Sequence, residues 1–387
     1  VYLTARLMGI IIVSDQMAMV VAVIGAITAF MAASIGLVQN DIKRVLAFST
    51  VSQLGYMMMI LGLGGYAAGT FHLFTHAFFK ALLFLGAGSV IHAVHTNDIQ
   101  EMGGLHKKMP ITSWTFLIAS LSISGIFPLA GFWSKDEIFA VAFEGGHYGF
   151  LIVGVMAAFM TAFYMFRLWF LTFSGKPRDQ HAYDHAHESP YSMTVPLMIL
   201  AVLSVCAGWW GIPFFADSGS FFYYGNFVFF EHVHEVHINY LLMLGSLIVA
   251  SSGIYLAYLV YFKKTISAEA MGARFKGIYT LLLNKYYFDE LYFATIVNPV
   301  YYLMEKFFRF DQVVVDGAVN GAGKLTLWWS WAKQQFDIYV VDGAVNGVGY
   351  LSLAIGKLFR KTQTGQLQTY ALVIFLGAVI LIFWKII

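Results

Sequence analysis

Charge is scarce in this sequence. Of 387 residues, only 11% are Asp, Glu, Lys or Arg, whereas 59% are hydrophobic; an ordinary soluble domain carries about 25% charged residues. That balance excludes a soluble globular chain. The charge present has little net sign, +2 at pH 7, and its lysines and arginines are scattered among loops rather than gathered in a stripe. A nucleic-acid interface is therefore not expected. Cysteine is almost missing: the one thiol, Cys206, lies inside an apolar run, so neither an internal disulfide nor a thiolate-ligated redox centre is available. A secretory leader layout is missing as well. The sequence opens on Val1 within an apolar stretch, residues 1–13, and reads as a fragment.

What is abundant is long apolar runs of twenty residues or more, the length a helix needs to cross a hydrocarbon layer of about 30 Å. Windows bounded by charge or turn residues predict eight spans, at residues 18–38, 45–63, 67–94, 112–142, 148–173, 193–213, 238–262 and 369–387. The loops between them alternate in charge. Lys43 and Arg44, Lys107 and Lys108, Lys176 and Arg178, and Lys263, Lys264, Arg274 and Lys276 fall in loops on one side. The opposite loops, 64–66, 143–147 and 214–237, carry Glu144, Asp217, Glu231 and Glu235 but no lysine or arginine. By the positive-inside rule the first set faces the cytoplasm or its equivalent.

Between residue 262 and the last span lie about a hundred residues that are amphipathic rather than uniformly apolar, and they contain an internal repeat. Phe310, Asp311 and VVDGAVNG (314–321) recur 26 residues later as Phe336, Asp337 and VVDGAVNG (340–347). A mostly helical segment from 288 to 361 would be about 110 Å long and should lie along the membrane surface. At about 100° per residue the second copy returns some 80° away from the first, so the copies share a face only if glycines bend or underwind the helix. The alternative is two or three short interfacial helices separated by Gly317, Gly321, Gly343 and Gly347.

The residues with chemistry to offer sit inside the spans. His72, His76 and Lys80 are four apart in FHLFTHAFFKALLF, which stacks them on one helix face. Lys80 is about thirteen residues from the start of its span, or roughly 20 Å of helix, too deep for easy snorkelling. A lysine at the bilayer centre costs about 2.5–3.5 kcal/mol on insertion scales, so it calls for a partner, internal water or a function. Imidazole can pass a proton between its two nitrogens, which suits His72 and His76 to a relay; the alternative is packing histidines held by hydrogen bonds. The window 112–142 is too long for one straight crossing and holds Gly125, Pro128 and Gly131 just before Ser134, Lys135 and Asp136. That pattern predicts a broken helix, a device that places ion sites in transport proteins. Lys135 is the second candidate proton carrier. Asp136 lies about 100° round the helix from it and is expected to bond elsewhere or to cap the second half-helix. Asp41, Lys43 and Arg44 form a charged turn on the positive side, readable as solvated or functional. Arg167 can snorkel and reads as structural. The spacings of His181, His185 and His187, and of His232, His234 and His237, could suit a divalent metal, but no cysteine or ordered outer shell supports one.

The stretches DIKRVLAFSTVSQLGYM (41–57), FHLFTHAFFKALLFLGAGSVIHA (71–93) and PLAGFWSKDEI (128–138) resemble the largest antiporter-like subunit of respiratory complex I, the bacterial L subunit equivalent to mitochondrial subunit 5. The resemblance extends to KYYFDELY (285–292), the VDGAVNG segments and QTGQLQTYALV (363–373). It implies an all-α integral membrane fold. Residues 1–175 would form a partial antiporter-like bundle with a broken helix, 176–265 two additional transmembrane helices, 266–366 a long lateral amphipathic helix, and 367–387 a C-terminal anchor helix. The family's first bundle, with its glutamate and lysine pair, has no counterpart in this sequence, and VYLTAR (1–6) looks like the end of the eighth family helix.

By the same resemblance, His72, His76 and Lys80 match the central relay and Lys135 the exit-side lysine, with Asp41, Lys43, Asp136 and Arg167 as possible supports. The implied function is proton translocation within an NADH:quinone oxidoreductase, through a buried Lys/His/water relay. No cofactor is expected in this chain; NADH, FMN, iron-sulfur clusters and quinone would belong to partner subunits. Partners would be the other membrane-arm subunits, including adjacent antiporter-like subunits met by the lateral helix. The expected location is a bacterial inner membrane, ahead of an organellar one. The rival readings are the large subunit of a multisubunit sodium/proton antiporter, a ferredoxin-driven plastid or cyanobacterial dehydrogenase subunit, and a structural brace of the membrane arm.

Overall fold

The computed structural model describes residues 1–212, 224 and 239–386. They divide into two units, Val1–Phe288 and Asp289–Ile387. Among the described residues there is no β-strand, only an isolated antiparallel bridge between Asp41 and Asp98.

The first unit is a helix bundle. Two short helices, α1 (Tyr2–Arg6) and α2 (Met8–Ile11), lead into α3 (Asp15–Gly36), α4 (Ile42–Gly62) and α5 (Tyr66–Val94). The predicted span 112–142 is two half-helices, α6 (Pro110–Ser124) and α7 (Ala130–Glu144). Then come α8 (Tyr148–Phe173), the short α9 (Gln180–His185), and α10 (Tyr191–Cys206), which tightens into a 3-10 turn at Ala207–Gly211. A helix at Tyr240–Ala257 ends in a π turn, Tyr258–Phe262. The observed spans fall within a few residues of the predicted ones, and α8 coincides with its prediction. The predicted acidic loop 214–237, with Asp217, Glu231 and Glu235, lies outside the described residues.

Local chemistry sets the helix starts. Ser14 caps α3, and Asp41 caps α4 by accepting from the backbone N–H groups of Lys43 (2.8 Å) and Arg44 (3.0 Å). The start of α6 is capped from far along the chain: Glu188 accepts from Ile111 N, Thr112 N and the Thr112 hydroxyl at 2.8, 3.2 and 2.6 Å. In lipid, burying apolar surface gives helices little reason to associate, so close backbone approach between small residues has to hold them together. That is how α3 and α4 meet. A Cβ added at Gly25 would lie 2.3 Å from Met59 N, and one at Gly55 would lie 2.4 Å from Ala29 N.

The second unit is helical from Asp289 to Thr362 and again over Leu367–Ile386, with no residue of its helices buried within the unit. Its α-helical stretches Asn298–Phe310, Asp316–Phe336 and Asp342–Thr362 are joined by π turns at Asp311–Val315 and Asp337–Val341. This corrects both expectations for the repeat. Gly317, Gly321, Gly343 and Gly347 lie inside α-helix and do not break it. The phase is set by the π turns, which fall at the same place in each copy. A π turn accommodates about one residue more than the α-helical count. The 26 residues from Asp311 to Asp337 therefore rotate like about 25, or roughly 2,500°, within about 20° of seven whole turns. The two copies present one face.

Candidate functional site

The helix of the third predicted span, α5, places His72, His76 and Lys80 along one buried stripe, with relative exposures of 0%, 6% and 5%. The imidazoles of His72 and His76 are 6.2 Å apart, centre to centre. Two neighbouring helices close on His72. From α4, Gln53 Oε1 lies 3.0 Å from His72 Nε2, and from α7, Ser134 Oγ lies 2.9 Å from Nδ1. Thr75 also donates to Ser134 Oγ, at 2.8 Å. An amide oxygen can only accept, so Nε2 carries the hydrogen and Nδ1 accepts from Ser134. His72 is thus a fully bonded bridge between α4 and the broken helix. His76 Nε2 and Lys80 Nζ have no hydrogen-bonding partner among the described residues. Lys80 sits over the Phe84 ring at 5.7 Å.

The break between α6 and α7 forms where Gly125 adopts a left-handed conformation, φ 85°, and ends α6. Lys135 is 3% exposed, one turn into α7, and its ammonium reaches back to donate to the Ile123 carbonyl at 2.5 Å. That carbonyl is one of the last-turn acceptors a helix end leaves unpaired, and a cation there also meets the negative end of the α6 dipole. The Tyr56 ring lies 5.9 Å from the same ammonium, and the Tyr56 hydroxyl donates to the Gly154 carbonyl on α8. The sequence-derived stripe and the sequence-derived lysine therefore meet through His72 and Ser134, the residue beside Lys135.

The supporting candidates divide. Asp136 does not cap α7, whose N-cap is Leu129 with no side-chain bond; its Oδ1 is buried without a partner, and the carboxyl faces Ser246. Asp41 is a helix cap with Lys43 and Arg44 exposed beside it, the structural reading of that turn. Arg167 is 4% exposed and reaches the loop between α3 and α4, donating to the Gln39 carbonyl at 2.5 Å and Asn40 Oδ1 at 2.7 Å and so locking α8 to the turn before α4. Among the described residues no three His, Cys, Asp or Glu side chains are grouped to hold a metal; His232, His234 and His237 lie outside them. Sequence reasoning missed Gln53, Thr75 and Ser134. Each is neutral and ordinary in a span, and only the packing of α4 and α7 against α5 makes it a partner of His72.

Fold and site together define an integral membrane helix bundle with buried cationic groups around a broken helix. Residues 1–161 match the family described as NADH:quinone oxidoreductase/Mrp antiporter, TM. Over most of its length the chain is also similar to NADH-quinone oxidoreductase subunit L and chain 5 proteins. The NAD(P)H-quinone oxidoreductase chain 5 of Picosynechococcus sp. is 44% identical over 357 residues, covering 84% of this chain and 54% of that protein. NADH-quinone oxidoreductase subunit L of Rickettsia bellii is 42% identical over 324 residues, 82% of this chain and 50% of that one. The subunit L of Rhodobacter capsulatus is 36% identical over 460 residues, 100% of this chain and 61% of that one. The chain spans about half the length of the curated relatives it matches. The solved Mrp complex from Dietzia sp. is similar in fold, with TM-score 0.50 and 21% identity over 78% of this chain and 34% of that one.

Proposed function

We propose that this chain is a proton-translocating membrane subunit of an NADH:quinone oxidoreductase, moving protons through Lys80, His76, His72 and Lys135 while redox chemistry runs in other subunits. The observation that carries the reading is a pair of buried lysines, neither ammonium hydrogen-bonded to a carboxylate among the described residues, on two helices, α5 and α7, that the His72–Ser134 bond joins. Burying an ammonium without a carboxylate bonded to it is costly, and water would have to complete the path where His76 and Lys80 lack protein partners. Moving one charge against the membrane potential costs about 2.3 kcal/mol per 100 mV, so conformational or electrostatic work must bias the two lysines in sequence.

The relatives' names support the enzyme complex as the setting. NADH, FMN, iron-sulfur clusters and quinone are assigned to partner subunits, and the location to a bacterial inner membrane. Residues 1–175 serve as the conducting bundle, 176–265 as added helices, 266–366 as a lateral helix along neighbouring antiporter-like subunits, and 367–387 as its anchor. The test replaces Lys80 or Lys135 by Ala and measures protons moved per electron in sealed membrane vesicles. A drop with the complex still assembled supports the proposal, and an unchanged ratio in both variants overturns it. Sodium-dependent transport in the same vesicles would favour the antiporter reading instead.

A further inference from the structure

A helix broken at membrane depth leaves backbone groups that lipid cannot satisfy. In the α6–α7 break they are met partly from α10. Ser122 Oγ accepts the Gly131 N–H at 3.1 Å and donates to the Ser204 carbonyl of α10 at 3.0 Å. The Pro128 carbonyl, in the middle of the break, takes two indole N–H donors: Trp133 Nε1 from α7 at 3.2 Å and Trp209 Nε1 from the 3-10 turn after α10 at 3.1 Å. That turn is seated directly on the first turn of α7, because a Cβ on Gly208 would lie 2.3 Å from Ala130 Cα. Trp209 is 46% exposed, so its ring covers the outside of the break while its N–H points inward.

We propose that Trp209 is a positioning residue for Lys135: its indole N–H pins the Pro128 carbonyl and thereby fixes the distance across the break from the Lys135 ammonium to the Ile123 carbonyl. The chain of contacts is short. Ile123 lies in the C-terminal turn of α6, Pro128 is the pivot, and Lys135 stands in the second turn of α7. Fixing the pivot fixes the register in which the ammonium meets its acceptor. A shift of α10 along its axis would slide Trp209 and Ser204 together, loosening both bonds to the break. Through this contact α10 can set when Lys135 keeps or gives up its acceptor, although it contributes no lysine, histidine or carboxylate of its own. The inference rests on the reading of Lys135 as a proton carrier.

The test uses the assembled complex in sealed vesicles, with quinone reduction and proton uptake followed together. Trp209→Phe keeps most of the ring and removes the donor. Assembly and electron transfer should persist while protons moved per electron fall from the native ratio toward that of the Lys135→Ala variant. Replacing Trp209 by benzothienylalanine, which preserves the bicyclic shape without the N–H, should give the same fall; a native ratio with this isostere means shape alone matters and overturns the inference. It also decides the matter if Trp209→Phe fails to assemble. Lys135→Ala is run in parallel. If that variant translocates normally, the reading of the lysine fails; if it is uncoupled while both Trp209 variants keep the native ratio, only the positioning inference falls.

Discussion

His72 holds both ring nitrogens in hydrogen bonds, and what surrounds it predicts what single side chains are worth. Gln53→Leu keeps the side chain's approximate volume but removes the acceptor for Nε2, leaving a buried donor unmet at a cost of about 1–3 kcal/mol. Proton translocation should fall at least several-fold with the complex intact, as read by the proton-to-electron ratio. Ser134→Ala removes the donor to Nδ1 and the acceptor of Thr75 together, so its fall should match or exceed that of Gln53→Leu in the same assay. The sequence made the lysines and histidines legible because an ionisable group in an apolar run is expensive and therefore conspicuous. It could not reveal Gln53, Thr75 or Ser134, which a span accommodates cheaply and whose partners lie on other helices. Of the two roles expected for Asp136, capping fails because α7 begins at Ala130, several residues earlier than the charged cluster suggests, and its carboxyl faces Ser246 instead.

Helix caps were not legible in advance. Asp41 caps the helix it immediately precedes, whereas the sequence showed it only as part of a charged turn; Glu188 serves α6 across more than seventy residues of chain and could be found only in the fold. Because one carboxylate satisfies two backbone donors and a hydroxyl there, Glu188→Ala should destabilise the start of α6 by about 1–3 kcal/mol. Faster amide exchange at Ile111 and Thr112, with other spans unaffected, is the expected signature. Close helix contact gives a harsher prediction. Gly55→Ala drives a methyl group into backbone on α3, where no side chain can yield. Separation of α3 and α4 should cost about 1–3 kcal/mol or more and appear as a lowered thermal midpoint of the detergent-extracted complex.

At the scale of the whole molecule, the helices of the bundle and the break could be read in advance, since each follows from where apolar runs stop. The second unit was legible as a long repeat but not in its phase, because a hydrogen-bonding register one residue wide leaves no trace in composition. That register is testable. Deleting Val314 should convert the first π turn to α-helix and leave both flanking faces aligned, with assembly retained. Inserting one alanine after Leu327, inside an α-helical stretch, should turn everything beyond it by about 100° and reduce the amount of assembled complex. Equal assembly of the two variants would mean that the shared face of the two copies is immaterial.

A wide turn of this kind is not anchored to one position in a helix. It can migrate, exchanging one backbone hydrogen bond at a time, and each residue it passes is turned by about 100° while the ends of the rod stay where they were. A rod carrying two such turns at matching positions can therefore swap the side chains it shows to its surroundings without bending, lengthening or losing helix.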